Sequence, residues 1–372
     1  MNPPPLRISL IGCGQIADAH LQEIRKIQSA QLLVVCDHHR PLAEQAAARF
    51  SAPNACMELS ELLEQHRPDV LHITTPPQTH RSIALAAIQH GVHVYIEKPF
   101  SLDAAEAREI VAAGKASGVQ VCVGHDQIFD PIWLALKHDH QCERLGRIVH
   151  IESIQGYDLQ GQFGKLALNQ RDHWVHRLPG GLIQNTLSHG LYKITDFLTD
   201  AEPSITAQWR DADEVGFPTE LRASVWGKEI SANLIFTSQA KPAQRVVRVF
   251  GTKQIVEIDF DGQTIRRARR LSLPGAFARL ESPARQWMEA SRAFWRNAWR
   301  FARSDIQYFA GMRELFTRFY ASIRGGPAPI RPEEIVRVTA LMDRIFACCK
   351  SSPSESSPVF AETRPSHVEA AS

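Results

Sequence analysis

The chain has little of what assigns a protein to a class at first sight. No apolar run approaches the roughly 18 residues of a membrane-crossing helix. Basic and acidic residues nearly cancel, 42 against 40, for a net charge of +2, so no overall field calls for nucleic acid or an acidic partner. Cysteine is sparse: Cys13, Cys36, Cys56, Cys122, Cys142, Cys348 and Cys349. They are odd in number and scattered without metal-ligand spacing, so neither a disulfide framework nor a metal site is expected, and buried reduced thiols fit better. Met1-Asn2-Pro3-Pro4-Pro5-Leu6 has no basic, apolar and small-residue leader pattern, and the expectation is a cytoplasmic protein. A hydrophobic fraction of 44% and a charged fraction of 22% over 372 residues leave a globular chain with room for two domains.

What the sequence does contain is a rhythm of short apolar runs and helical segments. Leu6–Ile11 reads as a buried strand that empties into Gly12-Cys13-Gly14-Gln15-Ile16-Ala17, followed by a helix and a second strand, Leu32–Cys36, closed by Asp37. In such a G-x-G-x-x-A turn the first glycine permits the tight turn, the second lets backbone approach a pyrophosphate, and the alanine allows close helix–strand packing. The new helix offers free N–H groups to phosphate. An acid at the end of the second strand can accept both ribose hydroxyls, which favours NAD over NADP. Arg40 faces either the adenine end, where NADP would place its 2′-phosphate, or solvent.

The alternation continues to about residue 124, which predicts a doubly wound parallel sheet. Thr74 and Pro76, His80 in the next turn, and Glu97-Lys98-Pro99 all follow apolar strands, so they belong to the carboxyl edge where open α/β sheets bind ligands. The proline restrains the backbone just after Lys98.

These motifs resemble the Gfo/Idh/MocA oxidoreductases, through Gly12–Ala17, Thr75-Pro76-Pro77-Gln78-Thr79-His80 and above all Glu97-Lys98-Pro99, over residues 6 to 349. The resemblance implies an N-terminal Rossmann domain and a cofactor, NAD or NADP. It implies hydride transfer to or from sugars and related polyols, with Lys98 in the active site. Cofactor contacts are then expected from Gly12, Gly14, Gln15, Ile16, Ala17, Asp37, Arg40, Thr74, Pro76, His80, Glu97 and Lys98. Where the family often has arginine before Phe-x-Pro, this chain has Ile128.

Past residue 126 the pattern changes to period-two strands, which predicts a mostly antiparallel sheet with helices on one face. The expected domains are 1–126, 127–350 for substrate and oligomerisation, and a disordered Ser/Pro/Glu-rich tail, 351–372. The open sheet face is the expected homodimer or homotetramer contact. Between two of these strands lies Pro179-Gly180-Gly181 and a helix carrying Asn185 and His189, four apart and so on one face. This matches the family's G-G-x-x-x-D-x-x-x-H, whose histidine is the acid/base. Asn185 stands where the family has Asp. The expected catalytic set is Lys98, His189 and Asn185. His125, Tyr157, Arg171, His173, Trp174 and Arg177 are candidate substrate contacts.

Residues 283–303 read as a basic helix in which Trp287, Phe294 and Phe301 repeat every seven, beside Arg292, Arg296, Arg300 and Arg303. Such a helix suits either a membrane surface or a seam against the active-site mouth or another subunit. The functional expectation is an oxidoreductase acting on a secondary alcohol or carbonyl of a sugar, polyol or nucleotide sugar. A non-catalytic NAD(H) sensor or scaffold and a reductase of non-sugar substrates are the alternatives.

Overall fold

The computed structural model describes residues 3–210, 215–303 and 309–351; the expected tail lies outside the described residues apart from its first residue, Ser351. Six strands, β1 (Leu6–Ile11), β2 (Ala30–Cys36), β3 (Asn54–Cys56), β4 (Val70–Ile73), β5 (His93–Ile96) and β6 (Val121–Val123), form an all-parallel sheet in the order β3-β2-β1-β4-β5-β6. The central strand β4, and the carboxyl-terminal residues of β1, β2 and β5, are buried on both faces, as near-continuous apolar runs require. The order reverses between β1 and β4, and the crevice there opens at the carboxyl ends of the strands. The connecting helices include α1 (Ala17–Ile24), α2 (Arg40–Phe50), a short helical turn α3 (Leu59–Glu61), α4 (His80–Gln89) and α5 (Ala104–Ser117). Asp103 caps α5 by accepting from Ala105 N at 2.8 Å and Glu106 N at 2.9 Å.

Helices α6 (Pro131–Gln141) and α7 (Gln162–Asn169) flank β7 (Ile148–Gly156), and α8 (Gly181–Thr195) follows. The second sheet adds β8 (Ser204–Arg210), β9 (Glu220–Trp226), β10 (Ser231–Thr237), β11 (Arg245–Gly251), β12 (Gln254–Asp259) and β13 (Thr264–Arg269), in the order β13-β12-β11-β7-β10-β9-β8. All pairs are antiparallel except β7 with β10. Leu221, Ala223, Val225, Leu234, Phe236, Val247 and Val249 point into the core beneath α8 and α11 (Pro332–Ser351). The opposite face stays polar: Arg248 pairs with Glu257 at 2.5 Å and Glu152 at 3.5 Å, and Arg266 reaches Glu257 at 3.1 Å.

In β13 Ile265 is buried, Arg266 is exposed and Arg267 pairs with Asp139 at 2.7 Å, so the strand begins by alternating. One element differs from the sequence reading. The basic helix, α9, spans Ala278–Ala302 and carries Pro283 inside it at an exposed position, where water can serve the freed carbonyl. The chain then returns to the first sheet. Helix α10 (Met312–Ile323) sets Phe316 and Tyr320 against His20, His72 and Tyr95, so residues late in the sequence finish the core of the N-terminal half.

Candidate active site

The glycine turn is shaped by close contact. Gly12 has φ +97°, and a Cβ there would meet Thr75 N at 2.7 Å and the Thr74 carbonyl carbon at 2.8 Å, so only glycine fits. A Cβ on Gly14 would meet nothing within 4 Å, and Gly14 and Gln15 are exposed, with Ile16 half-buried and Ala17 buried. No side chain caps α1, so its first N–H groups are available to an anion. Thr74 Oγ1 donates to Ile11 O at 2.9 Å and Gly12 O at 2.7 Å, tying β4 to the turn. Asp37 accepts from Cys13 N at 2.7 Å and His39 N at 2.8 Å. A carboxylate offers about four lone-pair sites, so two remain for ribose hydroxyls. Arg40 is exposed and faces Glu44 at 3.6 Å. These residues fit a dinucleotide.

At the end of β5 the Lys98–Pro99 peptide is cis. Lys98 Nζ donates to the Asn185 carbonyl at 3.2 Å, which bridges the two sheets' domains at the site. Burial lowers the Lys98 pKa, and the carboxylates of Glu97 and Asp126 oppose that shift only in part. Glu97 and His80, expected among the cofactor contacts, are instead buried and engaged with protein. His80 lies between the carbonyls of Thr75 at 2.8 Å and Pro99 at 3.1 Å, so it joins the two turns. Glu97 Oε2 accepts from Lys98 N at 3.1 Å, and Oε1 accepts from His20 Nε2 at 2.9 Å. His20 Nδ1 meets His72 Nδ1 at 3.1 Å, and His72 Nε2 meets Tyr320 Oη at 2.8 Å. One assignment of protons satisfies the whole chain: Tyr320 donates to His72, His72 to His20, and His20 to ionised Glu97. Burial works against that charge, but the His20 hydrogen bond and the Lys98 charge outweigh it and lower the Glu97 pKa.

The facing wall is α8. Gly190 packs against Leu234 and Ser153, so the helix sits close on β10 and β7. Gln184 fixes its start, accepting from Gly180 N at 3.1 Å and donating to Leu102 O at 3.0 Å. The partner of His189 is a correction to the sequence reading: Nδ1 meets Tyr192 Oη at 2.7 Å, three residues on, while Asn185 contributes its backbone carbonyl to Lys98. Burial first, then the charges of Lys98, Lys193 and Arg245, hold the His189 pKa well below the ordinary histidine value. Lys193 is fully buried, four residues on, with its ammonium 3.9 Å from the centre of the Phe260 ring and no hydrogen-bonding protein partner. Burial pulls its pKa down to about 7, and burial pushes that of Asp126 up to about 7. Tyr192, Lys193 and Asp126 were absent from the sequence candidates. Their one signal was the i+3 and i+4 spacing of the first two from His189.

His125, expected near substrate, is 2% exposed and lies against Tyr192 with ring centroids 4.4 Å apart; burial lowers its pKa to about 3. Trp174 O accepts from Gln78 Nε2 at 3.0 Å, which brings the 171–177 segment to the turn after β4. There Arg171 and Arg177 are exposed, and His173, Trp174 and Tyr157 are half-buried. A cavity of about 630 Å³ between Arg7, Asp69 and His93 lies at the opposite, amino-terminal edge of the sheet.

Residues 6–125 match the model of an oxidoreductase family described by its NAD-binding Rossmann fold. The chain is 34% identical over 149 residues to inositol 2-dehydrogenase 4 of Saccharopolyspora erythraea, covering 40% of this chain and 44% of that protein. It is 29% identical over 126 residues to a 4-carboxy-2-hydroxymuconate-6-semialdehyde dehydrogenase of Sphingobium, covering 34% and 40%. Both matches span less than half of the relative's length. In fold the chain is similar to the WlbA dehydrogenase of Bordetella pertussis, solved with NADH and UDP-GlcNAcA, with a TM-score of 0.76 at 20% identity over 94% of this chain and 97% of that one. The match to the Gfo/Idh/MocA oxidoreductase family thus lies in the N-terminal Rossmann domain, residues 6–125.

Proposed function

We propose that the protein is an NAD(P)-dependent oxidoreductase acting on a secondary alcohol or carbonyl of a sugar, polyol or nucleotide sugar. The observation that carries this reading is the Lys98–Asn185 contact. It brings the lysine at the carboxyl end of β5 within one helical turn of His189, beside the glycine turn. Gly12, Gly14, Gln15, Ile16 and Ala17 would receive the pyrophosphate and Asp37 the ribose, with Thr74 and Pro76 shaping the floor. NAD(P), when bound, supplies the acceptor or donor of hydride. The Asp37 charge disfavours a 2′-phosphate, and Arg40 is turned to Glu44, so NAD is the preferred form.

His189 takes the hydroxyl proton in the oxidising direction. Its depressed pKa keeps it neutral at pH 7. Tyr192 Oη can accept from His189 Nδ1–H as well as from Gln127 N, which leaves Nε2 as the basic nitrogen. Lys98 donates to the same substrate oxygen, and its charge stabilises the alkoxide that develops there.

Lys98, Lys193 and Arg245 all place positive charge near His189, and Arg171 and Arg177 are exposed on the segment beside it. That surplus supports a substrate bearing phosphate or carboxylate. A nucleotide-linked sugar carries the phosphate, and a uronate form the carboxylate as well; the WlbA complex with UDP-GlcNAcA supports the choice. The proposal includes a homodimer or homotetramer formed through the polar open face of the second sheet.

The test is purified protein with NAD⁺ and a panel of UDP-sugars, sugar phosphates and inositols, followed by NADH absorbance. NADH should form with a nucleotide-linked or phosphorylated sugar, and His189→Ala should abolish it while NAD⁺ still binds by calorimetry. Failure to bind NAD⁺, or turnover that survives His189→Ala, would sink the reading.

A further inference from the structure

A helix on a globular surface normally turns its apolar stripe to the core and its charges to water. α9 does the reverse. Its body-facing side is polar: Glu281 accepts from Ser272 N at 2.7 Å and Leu273 N at 2.8 Å, Glu289 accepts from Arg267 N at 2.9 Å, and Asn297 donates to Gly262 O at 3.0 Å. On the outward side Leu280, Trp287, Phe294 and Phe301 stand at seven-residue intervals, with Trp295 and Trp299 alongside. Trp287 is 71% exposed, Trp295 70% and Phe301 75%. Leu271, Leu273 and Phe277, all exposed, carry the surface upstream. Single exposed apolar residues need no explanation, but a contiguous stripe of this kind marks an interaction surface.

Among the described residues of α9 the exposed charge has one sign. Both acids of α9 are used inward, while Arg279, Arg292 and Arg303 are exposed, and Arg303 lies over the Trp299 ring at 4.2 Å. We propose that α9 docks the protein on an anionic lipid surface. The helix lies in the plane of the interface, with its tryptophan and phenylalanine stripe at the headgroup–acyl boundary. Charge complementarity favours this occupant. A second copy would set the same arginines against each other across a two-fold contact with no exposed acid of α9 to answer them, whereas anionic headgroups pair with them. Tryptophan suits a boundary where the ring is dry and the N–H is wet. The 25 residues of α9 reach about 37 Å along such a surface. No helix among the described residues is long and apolar enough to cross a membrane, so the contact is one of lying on the surface.

The experiment uses the full chain with vesicles of phosphatidylcholine alone or mixed with phosphatidylglycerol, read by co-sedimentation. The protein should pellet with the phosphatidylglycerol vesicles and be released by salt. Replacing Trp287, Trp295 and Trp299 together by Ala should lower partitioning by about tenfold or more. Replacing Arg279, Arg292 and Arg303 by Gln should remove the preference for anionic over neutral vesicles. Thermal unfolding of both variants should match the parent, because these side chains point outward. No pelleting with phosphatidylglycerol vesicles, or pelleting that the tryptophan variant retains, would overturn the proposal. A dimer in light scattering that the tryptophan variant dissolves, without vesicle binding, would also overturn it and give the face to a second copy.

Discussion

Glu97, His20, His72 and Tyr320 lie behind Lys98; His125, Tyr192, His189 and Lys193 lie in front of it. Both groups are buried and polar, yet they use their hydrogen-bonding capacity differently. Behind Lys98 each member has a partner, from Tyr320 Oη to the Glu97 carboxylate; Tyr95 Oη alongside is the exception. In front, Lys193 Nζ, His125 Nδ1, Gln127 Oε1 and Ser188 Oγ meet no protein partner. A buried polar group without a hydrogen bond costs stability, so a fold keeps such groups together where a ligand repays them. The rear cluster fixes the turn and its charge. The front cluster holds capacity for substrate.

The sharpest way to break this comparison is at the residue both clusters share. Lys98→Ala should lower kcat by about 10²–10⁴-fold and leave NAD⁺ affinity by calorimetry within a few fold. A collapse of NAD⁺ affinity instead would move Lys98 from the substrate to the cofactor. Next comes the rear cluster. Glu97→Ala removes the acceptor on which the chain ends, and the cost should be about 3–5 kcal/mol in urea unfolding, the range for breaking a buried pair. Because the folded-state pKa of Glu97 is depressed from 4.5, its contribution is complete above about that pH and is lost as pH falls through the lowered value. An unchanged urea midpoint would make the rear cluster ornamental.

The front cluster should answer in the opposite direction. Lys193→Met should stabilise the fold while raising KM for an anionic substrate by about tenfold or more. The folded-state pKa of Lys193 is about 7 against an ordinary 10.5. Its burial penalty is therefore full below pH 7 and fades as pH rises towards 10.5. The stability gain of the variant should shrink over that same window in unfolding measured at several pH values; a gain flat across it would contradict the assignment. The smallest effect belongs to Asn185→Asp, which adds a carboxylate one turn from His189 and should raise its pKa. The acid limb of the oxidation rate should move up in pH with it. An unmoved limb would separate position 185 from the imidazole.

The readable parts of the site are those fixed by local pattern. Gly12, Asp37 and Lys98 each close an apolar run, so strand ends place them on one edge, and helical spacing alone puts Asn185 and His189 on one face. Tyr192 was hidden because a tyrosine on an apolar helix reads as packing, and only its hydroxyl's position reveals its partnership with His189. Lys193 was hidden because nothing local says that a lysine will be buried. His72 sat in plain view inside β4, but its partner Tyr320 is 248 residues away, beyond any periodicity. Arg267 in β13 and the outward aromatic stripe of α9 show the same limit from the other side: a pattern of residue types does not say which neighbour it will meet.

That 248-residue separation also bears on how the chain is made. At the usual ribosomal pace of 5–20 residues per second, about 10–50 s pass between the synthesis of β4 and the arrival of α10. Throughout that interval the face of the parallel sheet bearing His72 and Tyr95 has His20 of α1 against it but lacks the cover of Phe316 and Tyr320. The nascent protein must keep an aromatic, histidine-bearing surface from sticking elsewhere until almost its whole length has emerged. A ribosome-bound chain stopped before residue 312 should therefore recruit chaperones that one stopped after residue 349 releases.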